Sequence, residues 1–65
     1  MKMIYDERTD SLFVRLAEAP IEESEEVSPG IVIDYDAEGR IVAIEILTAS
    51  KNVSSSAVLQ QLAAA

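Results

Sequence analysis

One stretch of sequence decides the fold, 31-IVIDYDAEGRIVAIEIL-47. Two runs rich in β-branched residues flank the polar residues 36–39, and β-branched side chains favour strands. Asp36 at the first position of the turn and Gly39 at the last are typical of a type I turn with a left-handed glycine, which forms a G1 bulge. The stretch therefore predicts a β-hairpin in which Gly39 has a positive φ.

The turn also decides which side chains share a face of this hairpin. In the register that the G1 bulge favours, one face carries Ile31, Ile33, Tyr35, Ile41, Ala43 and Leu47. The other face carries Val32, Val42, Ile44 and Ile46. A four-residue loop would change the cross-strand partners and regroup the two faces. In either register both faces are apolar, so both are expected to be covered, and the second set is the candidate interaction face.

The first half of the chain predicts a second hairpin. Residues 3–5 form a short β-prone run, residues 6–10 a polar turn, and residues 11–16 alternate between apolar and polar. Pro20 then ends the ladder, because proline has no N–H to donate. The acidic run Glu22 to Glu26 is interpreted as a solvated loop or a charged edge strand. A cation site or a docking surface for a basic partner is the alternative.

After Leu47 the pattern becomes helical. Residues 48–52 predict an exit loop or a single helical turn, and Ser54, Ser55 and Ser56 offer N-cap candidates. Apolar residues then recur at helical spacing, which predicts a helix over about 54–63. The whole chain, 1–65, is expected to be one small α+β domain: an antiparallel β-meander of two hairpins with a C-terminal helix packed on one face.

Composition excludes several classes of function. The 65 residues carry a formal net charge of -7, which disfavours autonomous binding to nucleic acid. No apolar run is long enough to cross a membrane. The chain has no Cys and no His, which removes the commonest catalytic base, the best nucleophile and the usual zinc ligands. The absence of Cys and of an apolar leader favours the cytoplasm.

One motif nearly fits a calcium-binding EF-hand loop. It runs from Asp34 to Glu45 and departs from the pattern only at Glu38. An EF-hand loop lies between two helices, whereas both flanks here predict strands. On an extended strand Glu45 would lie about 20 Å from Gly39 and could not reach back as a ligand. No metal and no cofactor are therefore expected, and the remaining metal hypothesis is a weak site at Asp34 and Asp36 beside the turn.

The sequence resembles domain-of-unknown-function family 2283. The resemblance covers about residues 3–51 and is carried by Tyr5-Asp6, Asp10-Ser11-Leu12, Val14-Arg15-Leu16, Glu25-Glu26-Val27, Gly30, Asp34-Tyr35-Asp36, Gly39-Arg40-Ile41-Val42, Ile44-Glu45-Ile46-Leu47 and Ala49-Ser50. It implies a small prokaryotic α+β protein and no catalytic residues. Relatives encoded beside small toxin-like proteins imply an antitoxin-like role.

The expected function is that of a small non-enzymatic protein-interaction module, most simply a homodimer. A single helix can cover only one face of the sheet, so a second copy or another protein is expected on the other face. One alternative is an antitoxin-like partner of a small basic toxin, with complementary charge steering the association. The other is a module that binds a small ligand or a divalent metal through Asp34 and Asp36.

Overall fold

The computed structural model describes residues 1–55 and 57–64. Within them the chain forms a five-stranded antiparallel sheet of order β1-β2-β5-β4-β3 and two short helices. The elements are β1 (Lys2–Asp6), β2 (Ser11–Arg15), β3 (Glu23–Ser28), β4 (Ile31–Tyr35), β5 (Ile41–Ile46), α1 (Ala49–Asn52) and α2 (Ala57–Ala64). The α+β class predicted from the sequence is confirmed. Neither helix in the described part of the chain is long and apolar enough to span a bilayer.

The sheet joins a hairpin to a three-stranded meander. β1 and β2 form the first hairpin, and β3, β4 and β5 follow one another as neighbours. β2 pairs with β5 instead of β3. Residues 16–22 therefore cross from the end of β2 to the far edge of the sheet, and we call them the crossing loop. At that edge β3 is exposed at every position, so of the two interpretations of the acidic run the charged edge strand holds for Glu23 to Glu26, while Glu22 lies in the crossing loop.

Two irregularities set the register of the β4–β5 hairpin. The first is the predicted turn: Gly39 has a φ of +80°, and its N–H donates to the Asp36 carbonyl at 3.0 Å. The second lies just beyond the turn, where Tyr35 pairs with Ile41 but Asp34 pairs with Ala43. Val42 is thus an extra residue in β5, a β-bulge that shifts every later pair by one position.

This bulge makes the predicted grouping of side chains wrong. Ile44 and Ile46 are cross-strand partners of Ile33 and Ile31, whereas Val32 is the partner of Glu45 on the opposite face. The candidate interaction face Val32, Val42, Ile44 and Ile46 is therefore divided between the two faces, with Val42 buried at the bulge. We call one side the helix face, which carries Tyr5, Leu12, Val14, Ile31, Ile33, Ile44 and Ile46. The other is the open face, which carries Lys2, Ile4, Asp6, Phe13, Arg15, Ser24, Glu26, Val32, Asp34, Ala43 and Glu45.

The helix face holds the core. Leu59 of α2 is buried together with Leu12 and Ala49, and partly buried side chains surround them: Tyr5, Val14, Ile46, Val53 and Leu62. α2 packs mainly against β1, so it covers only one half of this face. The predicted helix over 54–63 is found from Ala57 onward, and the Ser55 hydroxyl accepts the Ala57 N–H at 3.3 Å. The third predicted capping residue, Ser56, lies outside the described residues.

Substitutions at Gly39 test whether the turn requires a positive φ at this residue. At Gly39 a Cβ atom would meet nothing within 4 Å, so a substitution there is penalised only through the positive φ. We expect Gly39→Val to lower the free energy of unfolding by roughly 1–2 kcal/mol and Gly39→Asn to lower it less, because asparagine tolerates the left-handed conformation. Denaturant melts of both variants measure the difference. Equal losses would mean that the residue does not need its positive φ.

Candidate functional site

A fully buried carboxylate lies on the open face, although α2 packs on the opposite side. Asp34 is 0% exposed, and its Oδ1 accepts a hydrogen bond from the Ser24 hydroxyl at 2.6 Å. Its Oδ2 is also buried. When the neighbouring Glu45 is ionised, no described residue donates a hydrogen bond to this oxygen. A buried, unpartnered carboxylate oxygen is costly, so a hydrogen-bond donor beside Oδ2 stabilises this arrangement.

The crossing loop explains the burial of Asp34. Cross-strand pairing places Arg15, Ala43 and Asp34 in one row on the open face. The Arg15 guanidinium donates to the Ala19 carbonyl of the crossing loop at 2.7 Å. The loop therefore passes over this end of the open face, and we infer that it excludes water from Ala43 and Asp34. The rest of the face has no such cover within the described residues.

Glu45 can provide a hydrogen-bond donor for Asp34. A hydrogen bond to Asp34, partial burial and the nearby negative charge of Asp34 together raise the pKa of Glu45 to about 7. A protonated Glu45 can donate a hydrogen bond to the Asp34 carboxylate, which favours the protonated form of Glu45. Arg15 does not neutralise the pair, because its guanidinium bonds the loop and its Nε lies 3.8 Å from Glu18.

A second set of hydrogen bonds connects the first hairpin to α1, which follows β5. The Asp10 carboxylate accepts hydrogen bonds from the Tyr5 hydroxyl at 2.6 Å, the Ser50 hydroxyl at 2.7 Å and the Ser50 N–H at 3.0 Å. These bonds lower the pKa of Asp10, and the bond to Asp10 raises the pKa of Tyr5 to about 12. Because the Asp10 carbonyl also accepts the Ala49 N–H, Asp10 anchors the start of α1. Its role is structural.

Asp36 organises the β4–β5 turn and borders a groove. Its carboxylate accepts the N–H groups of Arg40 and Glu38, both at 2.9 Å, and pairs with the Arg40 guanidinium at 3.3 Å. These hydrogen bonds, above all that from the Arg40 N–H, lower the pKa of Asp36. The open groove beside the turn has a volume of about 520 Å³, and its lining is mainly acidic: Glu22, Glu23, Glu25, Tyr35, Asp36, Ala37 and Gly39.

The structure separates the roles of the two carboxylates that the sequence had grouped. Asp36 bonds the turn and Arg40, whereas Asp34 bonds Ser24 and lies in the row next to Glu45. The segments that flank the turn are strands, as the argument against an EF-hand loop expected. In the described part of the chain no three metal-ligating side chains come together.

Sequence reasoning missed both the Asp34–Glu45 pair and the Asp10–Ser50 contact. The first depends on the bulge at Val42, which brings Asp34 and Glu45 to the same face. The second joins residues 40 positions apart. One indication of the Asp10–Ser50 contact was present in the sequence, because both residues belong to segments that carry the family resemblance.

Fold and site together define a small α+β protein whose antiparallel sheet has a helix on one face and a carboxyl pair on the other. The family model described as "Protein of unknown function (DUF2283)" matches residues 2–50, and the chain belongs to this family. No curated protein and no solved structure matches the chain.

The Asp34–Glu45 pair predicts a specific pH dependence of stability. The folded protein holds the Glu45 proton up to about pH 7, whereas a free glutamate releases it near 4.5. The free energy of unfolding therefore decreases as the pH rises through this interval. We expect Glu45→Gln, which needs no proton, to raise the melting temperature by a few degrees at pH 8 and to change it little at pH 4.

The matched control is Glu25→Gln, which removes one carboxylate from an exposed position of β3. Thermal melts at one protein concentration, followed by circular dichroism, give the difference from the unsubstituted chain at each pH. A Glu45→Gln difference that stays constant between pH 4 and pH 8 would contradict the raised pKa of Glu45.

Proposed function

We propose that this chain is a non-enzymatic protein-interaction module that self-associates as a homodimer, and that it works in the cytoplasm as its sequence predicts. The observation that supports this most is the small number of apolar side chains that a single chain buries. Among the described residues, the buried apolar ones are Leu12, Val42, Ala43, Ala49 and Leu59. Three of these five are Val or Ala, so the core of the isolated chain is small.

The exposed surface agrees with this proposal. The chain exposes 4517 Å² of surface. A folded monomer of 7.1 kDa is expected to expose about 4,100 Å². The excess is the amount of surface that a modest interface removes from water, and burial of its apolar part stabilises a dimer at about 25 cal/mol per Å².

Apolar side chains remain uncovered on both faces of the sheet. On the helix face, Ile31, Ile33 and Ile44 are half-buried on the side away from the β1 edge, where α2 packs. On the open face, Phe13 and Val32 are half-buried and Ile4 is exposed. Either area offers a second copy an apolar contact surface.

A second candidate function rests on the acidic groove. Four carboxylates border it, those of Glu22, Glu23, Glu25 and Asp36. Such a surface attracts a protein with a basic patch, including the small basic toxin that an antitoxin-like role would require. Charge reversal of Glu23 and Glu25 to lysine tests this candidate. It should abolish capture of a basic partner and leave self-association intact.

Self-association predicts that size and stability depend on protein concentration. We expect sedimentation equilibrium to show a monomer–dimer equilibrium in the micromolar range, and the melting temperature to rise between about 5 and 500 µM, because dissociation accompanies unfolding. Glu22→Gln, an exposed charge change outside both apolar areas, should behave like the unsubstituted chain. A monomer at every concentration with a constant melting temperature would refute the homodimer.

A further inference from the structure

One row of side chains runs across the whole open face. Cross-strand pairing places one residue of each strand in this row, which reads Ile4, Phe13, Glu45, Val32 and Glu26. α2 packs on the other side of the sheet, and the crossing loop covers only the neighbouring row that contains Arg15 and Asp34. Three of the five side chains are apolar, so the row is an uncovered apolar strip with Glu45 at its centre.

We propose that the open face of a second copy docks on this row. A two-fold axis that runs along the row relates the two copies, so the strands of the second copy run end for end relative to those of the first. The inference rests on the proposed function, because it names the surface through which the chain self-associates. Each row residue near the axis then faces its own counterpart, as an isologous interface requires.

The crossing loop favours the end-for-end arrangement. It rises above the open face at one end, where Arg15 bonds Ala19, whereas at the other end the exposed Arg8 side chain lies 3.6 Å from Asp6. If both sheets stacked in the same direction, the two loops would collide. When one copy is reversed, each loop lies beyond the uncovered end of the other sheet, and the faces approach to about 10 Å, the usual spacing of packed sheets.

The charges of β1 complement one another in this arrangement. Lys2, Ile4 and Asp6 alternate onto the open face with Ile4 in the central row. Reversal of the second copy places Lys2 opposite Asp6 of that copy and Asp6 opposite its Lys2, with the two Ile4 side chains between them. Opposite charges around an apolar contact favour a specific orientation.

The helix face is less suited to the same contact. α2 projects from it, so a second sheet cannot lie flat on it. Beside its uncovered isoleucines, β3 presents the exposed carboxylates of Glu23 and Glu25. A second copy docked there would bring two such carboxylates of each chain close together, whereas the open-face arrangement places one β3 carboxylate, that of Glu26 at the end of the row, opposite its counterpart.

The central position of Glu45 makes this contact sensitive to pH. The charged groups around Glu45 are Asp34 from β4, Arg15 from β2, Lys2 from β1 and Glu26 from β3, together with Glu18 of the crossing loop, which pairs with Arg15. At the two-fold axis the Glu45 carboxyl groups of both copies meet. They repel each other when ionised and pack as neutral groups when protonated, and the contact with Asp34 already raises the pKa of Glu45 to about 7.

The size of the face sets the expected affinity. Five strands spaced by about 4.8 Å, each five residues long at about 3.3 Å per residue, give a flat area of roughly 400 Å². The crossing loop covers one row of this area, so the uncovered part is less than half of what one partner contributes to a standard interface. The dimer should therefore be weak, with a dissociation constant in the micromolar range.

The first test compares two equally exposed apolar residues on different surfaces. Ile4 is 46% exposed in the proposed interface, and Val58 on α2 is 45% exposed outside it. At pH 6, Ile4→Glu should raise the dissociation constant measured by sedimentation at least tenfold, and Val58→Glu should change it less than about twofold. Loss of the dimer in Ile33→Glu on the helix face, with Ile4→Glu unchanged, would overturn the proposed surface.

The second test follows the dissociation constant from pH 6 to pH 8.5. We expect it to rise about tenfold in the unsubstituted chain and to stay within about threefold in Glu45→Gln, which removes the titratable group at the centre of the row. A dimer that is insensitive to pH, or that keeps the same pH dependence in Glu45→Gln, refutes this inference and leaves the homodimer standing. A monomer under all conditions refutes the proposed function itself.

Discussion

The bulge at Val42 is the constraint on which the rest of the structure depends. Side chains alternate along a strand, so one extra residue in β5 transfers every later side chain of β5 to the opposite face relative to β4. It brings Ile44 and Ile46 to the same side as Ile31 and Ile33, where α2 packs. It brings Glu45 beside Val32 on the other side, in the row next to Asp34, and the contact with Asp34 raises the pKa of Glu45.

The sequence predicted the features that depend on local chemistry and missed those that depend on distant pairing. The turn at Asp36 to Gly39, the first hairpin, the acidic edge strand and the C-terminal helix follow from composition and spacing over a few residues. The bulge has no such signal, because Val42 fits a regular strand equally well. The pairing of β2 with β5, and the contact of Asp10 with Ser50, join residues far apart in the chain. For this reason the candidate interaction face was grouped wrongly.

Under the proposed docking, the carboxyl pair makes contact through the exposed apolar surface of the open face depend on the charge of Glu45. With Glu45 protonated, the centre of the open face carries less charge than it would with Glu45 ionised, which favours contact with another apolar surface. When that proton leaves, the same surface becomes anionic and more favourably hydrated. In the proposed dimer, docking is therefore favoured where Glu45 is neutral. Polar groups within apolar interfaces are known to fix orientation in this way in some systems.

The most direct measurement of self-association through the open face uses the absence of cysteine from the chain. Ile4→Cys places a single thiol at the proposed interface, and Val58→Cys places one on α2 at the same exposure, 46% against 45%. Both are treated with a short bis-maleimide at pH 6.5, and the covalent dimer is quantified by mass spectrometry. Docking through the open face predicts efficient cross-linking of Ile4→Cys and only slow, concentration-limited cross-linking of Val58→Cys. Equal yields, or a higher yield for Val58→Cys, would contradict it.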